Sequence, residues 1–488
     1  MVKAMFSTFT KLVPLLLLSL GASPPTVAAQ DLSATTCTGL CASLVTNSST
    51  WEASQKVTTD YAFYDVPSNF SKSLKPGTLL KVEYVTNYTN YTVPSGLTMS
   101  RILYTTSDLN GTTLPTSAYI LWPFAPFQSP QLKDGQFPFV AWAHGTSGFQ
   151  KTCAPSSYKS LQYHFMVPYK LALEGMVVVA PDYLGLGVDK LPTGEHIGHP
   201  YLAGPSVAAD IAYAVTAARA AFPVQLPKDG PFVGMGHSQG GGSIWAFTER
   251  LVDHPLPGYK GSVMLAPAVQ YFALLAKQLA ALPEILSTAA LTLQPAFVAA
   301  VTTAFPAYNY SGFTALGYDR YKNVVEPLKV CLPTYTLATS TEDVIFNTTK
   351  PGWYQDPTVQ RYAEFTEHGH RKLKGPILML AGERDAAVHY PSLLEIVNGT
   401  CSLLTQEKWG ESIDFVTYKD MDHFPMIQAS SARWLSWIKD RLAGKPAPKP
   451  GCSSAVVKGF RSEFTEQSTA PNFFLDAIPP SAPYQAAF

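Results

Sequence analysis

A serine stands between two glycines in Gly236-His237-Ser238-Gln239-Gly240, where the apolar run "PFVGMG" (231–236) meets the helical pattern "GGSIWAFTERLVDH" (241–254). Gly-x-Ser-x-Gly at such a junction is the spacing of a nucleophile elbow. The serine there takes an unfavourable backbone conformation, and a side chain two residues to either side would strike the neighbouring strand or helix. The turn lifts the hydroxyl clear of the sheet and aims the first helical amide, that of Gln239, at an oxygen that becomes negative beside it. A serine hydroxyl is a weak nucleophile, so it needs a general base, and a carboxylate must orient that base.

On an open parallel sheet with this elbow, the acid and then the base follow the serine in chain order, each beyond a later strand. Asp385 ends "GPILMLAGERD" (375–385) and His423 ends "SIDFVTYKDMDH" (412–423), so Ser238, Asp385 and His423 form the candidate triad. Glu383 and Asp343 compete with Asp385. His144, His237, His368, His370 and His389 lie on other loops, and His423 alone stands between the last strand and the final helix. A second oxyanion donor is expected from "AHGTSG" (143–148), through the amide of Gly145 or Thr146. His196-x-x-His199 has metal-ligand spacing only on a helix; Gly198 and Pro200 argue for a loop and no third ligand is evident. No metal or cofactor is called for. "DYLGLG" (182–187) lacks the spacing of a dinucleotide loop and is expected to frame the pocket rim.

The elements that must carry these residues alternate. Short runs apolar on both faces, at 137–145, 176–182, 231–236 and 261–269, are interleaved with helical patterns at 161–175, 208–222 and 241–254. That is the signature of a parallel sheet covered on both sides. Before it come β-rich runs at 79–88, 99–111 and 115–123, with Asn110-Gly111 as a hairpin signal. Residues 30–80 read as Ser/Thr-rich and irregular. The alternation pauses over 270–374, which opens with an Ala/Leu-rich helical stretch (271–305) broken by Pro283 and Pro295, and resumes at 375. The expected organisation is therefore an α/β core formed by 30–269 and 375–444, a helical lid or cap inserted at 270–374, and a Pro-rich linker with an irregular tail at 445–488.

The 488 residues carry 35 basic and 35 acidic side chains, a balance that removes the electrostatic case for a nucleic-acid partner. Residues 1–29 read as a signal peptide: Lys3 and Lys11, a short apolar core at 12–22, and small residues before a cut after Ala29. That core is too short to span a bilayer, and no transmembrane segment is expected. Eight of the ten asparagines, Asn47, Asn69, Asn87, Asn90, Asn110, Asn309, Asn347 and Asn398, open Asn-x-Ser/Thr sequons, which points to glycosylation at the surface of a secreted, extracellular protein. Cys37, Cys41, Cys153, Cys331, Cys401 and Cys452 form an even set suited to three disulfides in an oxidising compartment, with Cys37 and Cys41 able to close a small loop.

"HGTSG" followed by "CAPS" (153–156), then "APDYLGLG", "GHSQGG", "GERDAAV" and "DHFPM" with a large insertion before the last two, resembles the fungal secretory lipases of the Candida antarctica lipase A type, within the α/β-hydrolase superfamily. The resemblance runs from about residue 60 to 442. It implies Ser238 as nucleophile, Asp385 as acid and His423 as base, a lid with a tunnel for an acyl chain, and Cys331 as the mate of Cys153. Departures are the Cys37/Cys41 segment, the tail with Cys452, and Gln239 where some members carry glycine. The expected activity is hydrolysis of carboxylic esters through an acyl-enzyme, on triacylglycerols with transient contact at a lipid interface. A carboxylesterase for soluble or plant-wall acyl esters and a peptidase are the enzymatic alternatives, and a secreted binding protein on a dead hydrolase scaffold is the non-enzymatic one.

Overall fold

The structure is a computed structural model that describes residues 32–57, 61–273, 275, 288–340, 344, 347–385 and 387–459. The expected signal peptide, Pro283, Asp343 and the chain beyond residue 459 lie outside the described residues.

Ten strands form one sheet: β1 (Leu79–Glu83), β2 (Leu97–Ser107), β3 (Thr113–Pro123), β4 (Phe139–Ala143), β5 (Val177–Pro181), β6 (Phe232–His237), β7 (Tyr259–Leu265), β8 (Ile377–Gly382), β9 (Ser412–Tyr418) and β10 (Gly451–Val457). Their order is β1-β2-β3-β5-β4-β6-β7-β8-β9-β10. The first three pair antiparallel, β3 joins β5 antiparallel, and every other pairing is parallel. The hairpin between β2 and β3 turns at Asn110-Gly111, with the Asp108 carboxylate accepting the amides of Asn110 and Thr112 at 2.8 Å each.

Alternate residues of each central strand feed two separate cores, as the two-residue period demands. Phe139, Ala141, Val177 and Val179 join the core shared with α3 (Gly204–Ala221) and α4 (Gln239–Asp253). Val140, Trp142, Val178 and Ala180 join the other, with α2 (Pro168–Leu173) and the C-terminal helices α9 (Pro425–Ala429) and α10 (Ser431–Leu442). The helix α8 (Tyr390–Gln406) returns to the first face.

Between β7 and β8 lie α5 (Thr288–Ala304), α6 (Leu332–Ser340) and α7 (Pro357–Ala363). Pro295 does not break α5. A proline removes one helical donor and wedges the turn before it. Here the Tyr335 hydroxyl enters the gap: it donates to the Thr292 carbonyl at 2.8 Å and accepts the Ala296 amide at 3.0 Å. The helix continues past the proline around an inserted side chain rather than ending there.

Three further elements depart from the sequence reading. The segment expected to be irregular contains a helix, α1 (Gly39–Ser54), whose buried face is Cys41, Val45, Ser48 and Glu52. Serine and threonine lower helix propensity, but packing on α6 overrides it. The Glu52 carboxylate accepts the amides of Cys331 and Thr334 at 2.8 and 2.9 Å, so one helix caps the start of another. Lys56, one turn on, donates to the Thr152 carbonyl at 2.6 Å and sits 3.0 Å over the Tyr158 ring. Burial pushes Glu52 up and Lys56 down, and each charge opposes that push on the other. The helix expected over 161–175 shrinks to Pro168–Leu173, because Pro168 lacks an amide and can only begin a helix. The tail expected to be irregular supplies β10, a solvent-facing edge strand with no apolar alternation to announce it.

The cysteines pair as Cys37–Cys41, Cys153–Cys331 and Cys401–Cys452. The second ties the loop after β4 to the start of α6, and the third pins β10 to α8. All eight sequon asparagines are exposed. Among the described residues no helix is long and apolar enough to cross a membrane.

Candidate active site

Ser238 sits between β6 and α4 with φ 56° and ψ −120°, a conformation that costs an L-residue about 1–3 kcal/mol. Its main chain is held from three directions. Its amide donates to the Leu265 carbonyl at 2.9 Å, and its carbonyl accepts the amides of Gly242 and Ala268 at 3.0 Å each. A Cβ on Gly236 would lie 2.2 Å from the Gly240 carbonyl oxygen, and one on Gly240 would lie 1.9 Å from that of Ala143. Both contacts are with backbone, which cannot swing aside. Gly240→Ala should therefore push the loop after β4 away from the elbow by roughly 1 Å, with a loss of kcat of about 100-fold. A crystal structure and steady-state kinetics of the variant check this.

Asp385 follows β8 and His423 follows β9, and they meet across the end of the sheet. Asp385 Oδ2 lies 2.8 Å from His423 Nδ1, with both side chains buried. The other carboxylate oxygen, Oδ1, accepts the amides of Ala387 and Val388 at 2.9 and 2.7 Å. A carboxylate fixed in this way accepts the Nδ1–H, which leaves Nε2 as the imidazole's lone-pair nitrogen. The His423 ring packs against that of His237, the residue before Ser238, at 4.3 Å between centroids. Ser238 itself is only partly buried, so its hydroxyl is reachable. Glu383 points to solvent and takes the Asp420 amide. His389 bonds Ser392, and the His368 ring packs on Gly204, apart from this cluster.

The pairing of Ala143 with Gly236 brings the loop 143–148 alongside the elbow. The Gln239 amide begins α4 and so has no helical acceptor of its own. A Cβ on Gly145 would lie 1.9 Å from the Tyr163 hydroxyl. The Thr146 hydroxyl lies 2.8 Å from that of Tyr201. His144 is buried, with its ring nitrogens near the carbonyls of Gly145 and Asp182 and its face on Tyr183.

In the sequence His199 is half of an incomplete metal pair. Its partner in that motif, His196, is exposed, whereas His199 is buried against Gln239, the residue after Ser238. Its Nδ1 donates to the Leu184 carbonyl at 2.8 Å, and its Nε2 is 3.3 Å from the Gln239 side-chain amide. "DYLGLG" is buried rather than a rim, and its Leu184 is what orients His199. Among the described residues no cluster of three or more His, Cys, Asp or Glu is placed to hold a metal ion. No sequence signal marks Tyr163, Tyr183 or Tyr201 as parts of the site, because nothing in their spacing requires it.

Burial holds both His144 and His199 neutral, down at about 4, against the opposing pull of their carbonyl partners. Their folded values lie below the unfolded value of about 6.5. The stability they contribute is thus complete above pH 6.5 and is lost as pH falls towards 4. Asp210, pushed up to about 7 by burial, acts in the opposite sense: its contribution is present in acid and is lost as pH rises through 7. His199→Gln isolates one histidine, and its melting temperature should fall less than that of the parent between pH 6.5 and 4.

Residues 140–434 match the alpha/beta hydrolase family. The fold is similar to that of Candida antarctica lipase A in its closed state, at 17% identity and a TM-score of 0.64, covering 83% of this chain and 90% of that one. It is also similar to the rice cell wall degrading esterase LipA from Xanthomonas oryzae, at 18% identity and a TM-score of 0.53, covering 81% and 96%. At these identities the likeness is one of fold. No curated protein matches the chain.

Proposed function

The chain belongs to the alpha/beta hydrolase family, and from that premise we propose that it is a secreted serine hydrolase of carboxylic esters, acting on triacylglycerols through an acyl-enzyme. The observation that carries the reading is Ser238 in its strained turn beside an Asp385–His423 pair at 2.8 Å. His423 takes the serine proton as Ser238 Oγ attacks the ester carbonyl, and returns it to the departing alcohol. Asp385 keeps the imidazole in the required tautomer and stabilises its cation. The oxyanion lies against the amides of Gln239 and of Gly145 or Thr146. Water activated by His423 then releases the acid.

The preference for long acyl chains draws on the segment between β7 and β8. The Phe297 ring of α5 has its centroid 5.3 Å from that of Tyr201, whose hydroxyl meets Thr146, 4.8 Å from that of Tyr271 and 4.7 Å from that of Phe272, none of them stacked. This buried aromatic cluster beside the loop after β4 suits a hydrocarbon chain once a lid opens at a lipid surface. Three disulfides and eight exposed sequons support a secretory route. That a lipase and a cell wall degrading esterase are both among the structural neighbours makes soluble or plant-wall esters the second reading. Hydrolysis of glycerides from acetyl to oleoyl, dissolved and emulsified, tests the choice. Rates that rise with chain length and at the emulsion surface are expected. Turnover confined to short soluble esters would overturn the lipase reading and leave an esterase.

A further inference from the structure

Three consecutive residues that are not glycine, Leu161, Gln162 and Tyr163, have φ of 56, 45 and 51°. Left-handed backbone crowds Cβ against the following carbonyl, so such a run persists only where its surroundings hold it. This one ends in Tyr163, whose ring is wedged edge-on against Trp142 at 5.5 Å and whose hydroxyl lies 2.9 Å from His237 Nδ1. On the far side of that ring, His237 Nε2 lies 3.1 Å from the main-chain carbonyl of His423. A carbonyl can only accept, so Nε2 carries the proton. Nδ1 of the neutral ring then holds a lone pair, and the Tyr163 O–H donates to it. Phe424 closes the arrangement, 5.2 Å from the His237 ring and 5.2 Å from that of His423.

The triad chemistry does not ask for a histidine before Ser238. An apolar residue would fill a site that is fully buried. What the imidazole adds is a bond across two loops that are far apart in the chain, one bearing the nucleophile and the other bearing the base. We propose that Tyr163 and His237 are positioning residues: a relay, from the Tyr163 hydroxyl through the His237 imidazole to the His423 carbonyl, fixes the backbone of the base relative to the elbow. Burial, and secondarily the neighbouring His423, hold the His237 pKa well below the usual histidine value, so the ring stays in the neutral form the relay needs. The relay rests on the reading of His423 as general base.

The test measures kcat and KM on a soluble p-nitrophenyl ester for the full-length secreted protein and three variants. His237→Leu removes the donor and should lower kcat roughly 100-fold with KM within about twofold, as expected for a base displaced by a fraction of an ångström. His237→Gln places an amide where Nε2 stood and should recover to within roughly fivefold of the parent. Tyr163→Phe should lose roughly tenfold. Long-range 15N NMR of histidine-labelled Ser238→Ala protein should show His237 as the neutral Nε2–H tautomer from pH 5 to 8. Gln as poor as Leu, a KM that rises with the loss of kcat, or an Nδ1–H tautomer would overturn the relay. Where His237→Leu fails to fold, the Gln and Phe variants and the tautomer decide. Turnover surviving in Ser238→Ala would instead overturn the reading of the site, and the tautomer would still be read independently.

Discussion

Ser238→Ala should lower ester turnover by about 10⁶-fold, to what oxyanion donors and binding alone supply. The expectation is clean because alanine keeps everything else about the residue. The φ of 56° and ψ of −120° strain an alanine no more than a serine. The hydrogen bonds that fix the turn, from its amide to Leu265 and from Gly242 and Ala268 to its carbonyl, are main-chain bonds that the substitution leaves in place. Ser238 is only partly buried, so removing its hydroxyl leaves no closed cavity. Stability should therefore shift by no more than about 0.5 kcal/mol. Thermal melts and turnover on emulsified glyceride measure the two quantities separately. An unchanged melt with unchanged turnover would remove Ser238 from the mechanism.

Asp385→Asn should cost about 10⁴-fold in kcat with the fold intact. The two oxygens of Asp385 have different tasks. Oδ1 accepts the amides of Ala387 and Val388, and Oδ2 faces His423 Nδ1. An asparagine must leave its carbonyl on the two amides, since an NH₂ there would oppose two N–H donors. Its NH₂ group is thereby aimed at His423 and forces Nδ1 to accept. The proton moves to Nε2, the nitrogen that must be free to take one from Ser238. kcat should fall while KM holds, and Asp385→Ala, which imposes no tautomer, should retain more activity than Asp385→Asn. The reverse order would place Asp385 in a turn-capping role only.

Sequence carried the fold wherever burial writes a period. β4 to β8 are continuous apolar runs because helices cover both faces, and Ser238, Asp385 and His423 are ordered by the strand ends that must present them. The glycines of the elbow are legible because a Cβ on either would come within 1.9 or 2.2 Å of a backbone oxygen. What lay beyond reading depends on partners distant in the chain. The buried face of α1 includes Ser48 and Glu52, which resemble solvated residues until Thr334 and Cys331 are set against them. Pro295 reads as a break because its repair by Tyr335 comes from 40 residues further along. Tyr163 reaches His237 through a left-handed turn without a glycine to signal it. β10 gains its place from the ladder with β9 and from Cys401–Cys452, neither of which leaves an apolar pattern.

Gln270 and Thr366, near the two ends of the segment between β7 and β8, lie side by side. The Gln270 amide donates to the Thr366 carbonyl at 3.1 Å, and its side chain donates to that of His368 at 3.2 Å. Ends held this close let the enclosed segment vary in length at small entropic cost, since closure depends only weakly on loop size. An engineered exchange of the segment should not treat it as one independent stretch of sequence. A graft of 270–374 alone would bring foreign residues against Glu52 and Lys56 and leave Cys153 without its mate. Two buried charges and a lone thiol would oppose folding of the chimaera. An exchange that carries α1 together with the segment should fold better than an exchange of 270–374 alone.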